Sequence, residues 1–272
     1  MTGRPRLARR VLLSMVVTIA AARGEELDLE PAPPGVDGRA VAERVEEVWR
    51  GENNYLDASM TVVSPRLPTP RVVRFRSWDD RPGKRSFIRM LAPPKDAGTS
   101  FLLLHPNLWM YVPRVERTMR IPPSMMLQPW MGSDLTNDDL VRSSSMLEDY
   151  EQRLLGIDAS PEGHEGRRAY VLEYIPHEDA PVVWGRILHW VDVERSAPLR
   201  SDYFDEDGEK IRTVRLTELR EVQGRSFPHR WTVLPLDKEG NRTEIEVHEI
   251  RFDDPLDESL FTTGNLRRKD PH

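Results

Sequence analysis

From Tyr55 almost to its end the chain alternates apolar and polar residues, and short clusters of turn-forming residues interrupt the alternation. A period of two is the repeat of a β-strand, whose successive side chains point to opposite faces of the sheet. Segments of this kind, rich in Val, Phe, Trp, Tyr, Ile and Arg, fall near residues 55–63, 71–78, 84–92, 99–105, 107–112 and 115–121. Others follow near 146–155, 167–175, 184–193, 199–205, 210–220, 227–236 and 242–252. Pro65, Pro68 and Pro70, then Asp79-Asp80-Arg81-Pro82-Gly83, Pro93-Pro94 and Pro106-Asn107 separate the early ones, and Glu206-Asp207-Gly208 and Lys238-Glu239-Gly240-Asn241 separate late ones. Connections this short cannot hold crossover helices, so the expected sheet is antiparallel. About a dozen strands in line can close into a barrel, curl into an open half-barrel or fold into a sandwich. Val73 and Phe75 share one strand face while Arg74 and Arg76 share the other, and Ile245 and Val247 oppose Glu244, Glu246 and His248. The pattern implies one apolar and one wet face.

Two stretches depart from this rhythm. Asp37 is a good N-cap, Ala40, Val41, Val45, Val48 and Trp49 recur at helical spacing, and Gly51 suits a C-cap, which together predict one amphipathic helix. Residues 122–142 hold a short, Met-rich apolar run, Ser124 to Met131, and then Thr136 and Asp139 at the spacing of a capping box. Neither a repeat of fixed length nor a low-complexity tract is present.

The first 22 residues read as an export signal. Arg4, Arg6, Arg9 and Arg10 form a positive start, Val11 to Ala22 is apolar apart from Ser14 and Thr18, and Ala20 and Ala22 stand in an A-x-A arrangement. The apolar run is shorter than the roughly 20 residues that span a bilayer, so cleavage near Ala22 and a periplasmic address are expected. The Arg9-Arg10 pair also allows twin-arginine export. Acidic, Pro-rich residues 23–36 read as a flexible lead-in, and residues 37–272 as the folded domain. Without residues 1–22 the 39 basic residues fall to 35 against 45 acidic, a charge of −10. Such a chain is a poor partner for nucleic acid, whose binding rests on Lys and Arg neutralising phosphates. Local arginine clusters leave transient membrane contact open. There is no cysteine, hence no disulfide, no thiolate metal site and no lipid anchor on an N-terminal Cys.

Catalytic motifs are missing. None of the seven histidines completes an H-E-x-x-H pair, and no G-x-S-x-G elbow, P-loop or helix-opening G-x-G-x-x-G occurs. The histidines read as solvated or structural. The acidic cluster Asp134, Asn137, Asp138 and Asp139 lacks the spacing of a calcium loop; capping of a helical turn is the better reading. No catalytic residue, metal or cofactor is expected.

Large apolar side chains collect between residues 98 and 142. Met adapts to irregular apolar partners, and Trp and Tyr suit the place where a greasy ligand meets water. A cavity lined by Phe75, Ile88, Leu102, Leu104, Trp109, Tyr111, Met125, Met126, Trp130 and Met131 accounts for this; so does a filled core. The strand members of that set depend on phase, because an error of one residue turns a side chain to the other face.

The same region carries a resemblance. Asn107-Leu-Trp-Met-Tyr-Val-Pro113, followed by Met131-Gly-Ser-Asp-Leu-Thr-Asn-Asp-Asp-Leu140, resembles the LolA-like outer-membrane lipoprotein-sorting family, and Leu256-Asp-Glu-Ser-Leu-Phe261 with Asn265-Leu266 resembles its closing segment. The likeness is to the broad family and not closely to the lipoprotein chaperone itself. It implies a mainly β fold, an incomplete antiparallel barrel with short helices plugging the open side, and an interior cavity for acyl chains. It also implies a non-enzymatic periplasmic carrier of a lipid or lipoprotein, working toward the outer membrane. A place beside an inner-membrane exporter of the resistance–nodulation–division (RND) type is implied as well; in the alternative, the protein is a non-enzymatic periplasmic adaptor of such an exporter with no lipid cargo of its own.

Overall fold

The computed structural model of the protein describes residues 27–142 and 146–268. The expected export signal and its cleavage point near Ala22 lie outside the described residues.

Helix α1 (Gly38–Arg50) forms where the apolar spacing predicts it. The Asp37 carboxylate accepts from the Ala40 amide at 3.0 Å, and Gly51, at φ 63°, donates its own amide to Glu47. A left-handed residue at this position closes the last turn, which is why a glycine stands there. The first meander then runs through β1 (Asn53–Val63), β2 (Arg71–Asp80), β3 (Arg85–Ala92), β4 (Ser100–Leu104), β5 (Asn107–Val112) and β6 (Arg117–Arg120). After short helices α2 (Asn137–Arg142) and α3 (Met146–Asp149), the second meander holds β7 (Tyr150–Asp158), β8 (Ala169–Pro176), β9 (Arg186–Asp192), β10 (Pro198–Phe204), β11 (Lys210–Val222), β12 (Arg225–Pro235) and β13 (Arg242–Phe252). The strand expected from residue 146 begins at Tyr150 instead, its first four residues being helical; four residues are too few for periodicity to separate the two.

All thirteen strands join one antiparallel sheet in the order β6-β5-β4-β3-β2-β1-β13-β12-β11-β10-β9-β8-β7. The first and last strands therefore meet in the middle, with Leu56 opposite Ile250 and Met60 opposite Ile245. The free edges are β6 and β7, so the sheet is an incomplete barrel. Residues 121–149 connect those edges, and they are anchored to the sheet along the way. Arg71 donates to the Met131 carbonyl, Thr243 Oγ1 donates to the Asp134 carboxylate at 2.8 Å, and Trp130 packs edge-on against Phe75 and Phe101.

At the centre of the sheet the outer face is wet as the alternation implies, with Arg74, Glu246 and His248 exposed, while toward both ends that face is covered as well. On the inner face lie α1, the connecting segment and a core of Leu56, Met60, Val73, Phe75, Met90, Phe101, Leu103, Leu108, Ile245 and Val247. On the outer face of the first meander, Tyr55, Trp78, Phe87 and Leu102 pack under the C-terminal residues Leu260, Phe261 and Leu266. Buried Ser100 fixes that segment by donating to the Leu266 carbonyl at 2.7 Å, and Arg89 donates to Asn265 at 2.8 Å. On the outer face of the second meander, Val171, Leu188, Trp190 and Leu199 pack under Leu27 and Leu29. Residues 27–30 are thus tied down where composition reads as a flexible lead-in. Glu30 exchanges both backbone hydrogen bonds with Ile157 at 2.8 Å, and a side chain on Gly156 would stand 2.6 Å from the Glu30 carbonyl. Ordering these few residues is offset by the apolar area that Leu27 and Leu29 remove from water.

Candidate functional site

A cavity of about 370 Å³ lies on the inner face between α1, the connecting segment and the sheet. Its volume falls in the range of small-molecule pockets, roughly 300–1,000 Å³. Leu56, Phe75, Ile88, Trp130, Leu135, Leu216, Ile245 and Ile250 make one wall, with Val45 and Trp49 of α1 above. Trp49 stacks on Phe227 at 5.2 Å and leans on Trp231 at 4.8 Å, so the helix is held over the sheet by its aromatic face.

The opposite end is polar and belongs to the second meander. Tyr150, Tyr174, His189, Ser201 and Tyr203 line it, each on the inward phase of its strand. His189 shares a 2.6 Å hydrogen bond between Nδ1 and Ser201 Oγ, and its ring meets Tyr174 edge-on at 6.1 Å. Burial pushes His189 down to about 4, so it is neutral near pH 7. Burial also pushes the Tyr150, Tyr174 and Tyr203 hydroxyls up.

Ion pairs bound the cavity. Arg212 of β11 grips Asp139 of α2 through both terminal nitrogens at 2.8 Å, and its guanidinium lies 4.2 Å from the Tyr203 ring centre and 4.7 Å from that of Trp184. Burial works against the Asp139 charge, but the Arg212 guanidinium and the Thr136 donors outweigh it and hold the carboxyl below its usual range. Asp139 also caps α2 as the sequence predicts: Thr136 donates its amide at 2.8 Å and its hydroxyl at 3.0 Å, and accepts from the Asp139 amide at 3.2 Å. One carboxylate therefore starts the helix and ties the connecting segment across the cavity to β11. At the other end, Arg50 of α1 pairs with Asp79 at 2.8 Å and lies 3.6 Å from Glu46, whose carboxyl burial pushes up. Asp138 is 3.4 Å from Arg142 and Asp134 bonds Thr243. Among the described residues no group of three metal-ligating side chains comes together.

Of the residues named from the sequence, Phe75, Ile88 and Trp130 line this cavity. Met126 and Met131 pack against the inner core without lining it, and Met125 is exposed. Leu102, Leu104, Trp109 and Tyr111 lie on the outer face, beneath the C-terminal segment. Their neighbours Phe101, Leu103, Leu108 and Met110 point inward instead. The displacement is a phase of one residue on β4 and β5. In Phe101-Leu-Leu-Leu104 every position is apolar, so alternation carries no phase there. The residues missed are Tyr150, Tyr174, Ser201, Tyr203, Arg212 and His189, the last of which lines the cavity instead of serving only a solvated or buried structural role. Their signal was the inward phase itself: His189 shares it with Ile187 and Val191, Tyr174 with Leu172.

Comparison with known proteins places this architecture. A DUF1329 family protein from Desulfovibrio piger matches with a TM-score of 0.75 at 23% identity, over 84% of this chain and 97% of that one. A domain named for outer membrane lipoprotein sorting, from Vibrio parahaemolyticus, matches with a TM-score of 0.71 at 22% identity over 85% and 98%. A LolA superfamily protein from Nitrosomonas europaea gives 0.69 at 19% over 85% and 99%. A search of curated proteins finds no match. These likenesses concern the fold, and they agree with the resemblance read from residues 107–140. The incomplete barrel is thus similar in fold to that LolA superfamily protein, and a model of a family of uncharacterized proteins covers residues 83–268, more than half of the chain, so the chain belongs to this DUF1329-like family.

Proposed function

We propose that the protein is an exported, non-enzymatic carrier that holds the acyl chains of a lipid or lipoprotein in its inner cavity for transfer toward the outer membrane. The observation that carries this reading is the cavity of about 370 Å³ with its mainly apolar wall, framed by a helix and a connecting segment that are not part of the sheet. Burying a chain of about sixteen carbons at about 0.8 kcal/mol per CH₂ is worth on the order of 10 kcal/mol. That magnitude competes with a membrane without making release impossible. The similarity to a domain named for lipoprotein sorting supports the same reading, as does the order of basic, apolar and small residues over 1–22, which reads as an export signal.

Catalysis is the weaker reading. Ser201 and His189 do make a 2.6 Å hydrogen bond inside the cavity. A His pushed down to about 4 is a feeble base near pH 7, and among the described residues no carboxylate bonds its ring to orient it, as a hydrolase triad requires.

The test is native mass spectrometry of protein purified from the periplasm without detergent. Co-purifying acylated lipid or lipoprotein is the expected result. A chain that is empty, takes up no lipid on incubation with envelope extract and yet retains an inner-membrane exporter partner would favour the adaptor role.

A further inference from the structure

We propose that the cavity selects an uncharged acyl lipid, whose polar end offers an ester carbonyl or hydroxyl oxygen, over a free fatty acid of the same length. This rests on the carrier reading and adds the chemistry of the head group to it.

The charges of the wall are already matched. Three arginines line the cavity, and each has a carboxylate: Arg50 with Asp79 at 2.8 Å, Arg142 with Asp138 at 3.4 Å, and Arg212 with Asp139 at 2.8 Å. The lining also holds three acidic residues, Glu46, Asp79 and Asp139, which balance the three cations. An incoming carboxylate would lose its water, meet no uncommitted cation, and enter beside carboxylates already present. Burying a charge on those terms is strongly unfavourable.

Neutral hydrogen-bond donors, by contrast, are in surplus. Tyr150 and Tyr174 are 1% and 5% exposed, line the cavity, and hydrogen-bond through their hydroxyls to no other described residue. Two hydroxyls in one wall, uncommitted within the protein, can donate to a ligand oxygen in place of water. Their rings sit 6.2 Å apart, which places both within reach of one small head group. One further buried neutral donor in the same wall, Trp130 Nε1, also lacks an acceptor. An ester carbonyl or alcohol oxygen accepts from such donors and brings no charge. Burial keeps both tyrosines protonated and His189 neutral, which preserves the neutral character of this end. Acyl esters occur both on free glycerides and on the glyceride of a lipoprotein, and the cavity chemistry is the same for either.

The experiment uses the full exported chain, stripped of lipid, with Nile red as the neutral reporter. Monopalmitoylglycerol, hexadecanol and palmitate compete for it at about pH 8 and again at about pH 5. The expected result is that monopalmitoylglycerol and hexadecanol displace the dye at least about ten-fold better than palmitate at the higher pH, with the gap narrowing as palmitate protonates. Tyr150→Phe and Tyr174→Phe should each weaken monopalmitoylglycerol by about five-fold while leaving Nile red binding and the melting temperature in place. A synthetic diacylglyceryl lipopeptide set beside dipalmitoylglycerol separates the two sources of the ester. Palmitate competing as well as the glyceride at the higher pH would overturn the selection. So would both Phe variants, folded, binding the glyceride as the unaltered chain does. If no acyl compound of any kind competes or binds, the carrier reading itself falls, a result distinct from loss of selectivity.

Discussion

The two meanders share one sheet and differ in what fills them. The inward side chains of β1 to β5 are Leu56, Met60, Val73, Phe75, Met90, Phe101 and Leu108, and Trp130 seals them into a continuous core. Those of β7 to β10 include Tyr150, Tyr174, His189, Ser201 and Tyr203, which give the shared cavity its polar end. Strand geometry is the same in both halves; only the residues on the inward phase change. A sheet built from interchangeable hairpins can therefore wall one cavity with apolar side chains from one half and polar ones from the other. The apolar half supplies stability, and the polar half can keep groups with no internal partner, which would be costly in a packed core.

The sharpest test of this contrast is truncation in the apolar half. Trp130 is 2% exposed and meets Phe75 and Phe101 edge-on. Trp130→Ala should cost about 3–5 kcal/mol, read by urea or thermal unfolding. A loss below about 1 kcal/mol would mean that the apolar wall is not where stability resides. Next is the tie between the halves. Asp139→Ala strands Arg212 without its carboxylate and removes the cap of α2, which should cost roughly 3 kcal/mol and raise hydrogen exchange in the connecting segment first. Uniform exchange would deny that this pair fastens the segment.

A third test uses pH on the polar half. His189 has its folded value pushed from 6.5 down to about 4, so the unfolded chain takes up its proton first as pH falls. Its contribution is complete above pH 6.5 and is lost between 6.5 and about 4, on the order of 2–3 kcal/mol. His189→Gln should flatten that part of the stability–pH curve. An unchanged curve would assign the acid sensitivity to other groups. The smallest effect is expected from Tyr174→Phe, which deletes a hydroxyl with no described partner and should move stability by less than about 1 kcal/mol. A large loss would show that the hydroxyl is a structural bond after all.

Much of this architecture is legible in the sequence because turns and alternation are local signals. Each strand was placed to within a few residues, as were the Asp37 and Gly51 caps of α1 and the capping box of α2. The cavity was only partly legible. Phase is unreadable in Phe101-Leu-Leu-Leu104, and a terminal segment that buries the outer face makes outward residues as apolar as inward ones. The Arg212–Asp139 pair spans 73 positions and is one among 34 arginines, so no spacing rule singles it out. The anchoring of Leu27 and Leu29 is likewise a tertiary event, in a stretch whose prolines and acids read as open chain.

The meeting of β1 with β13 has a kinetic consequence. Ser59 and His248, 2.7 Å apart across that seam, are separated by 189 positions. Each meander can zip along its own hairpins from local contacts, but the seam at the centre of the sheet requires closure of nearly the whole chain. Folding rates fall as contacts become less local, so the two halves are expected to form early and the seam last. Until it closes, β1 and β13 are both bare strand edges, open to pairing with another chain. The interval between synthesis of β1 and arrival of β13 is when this protein most needs protection.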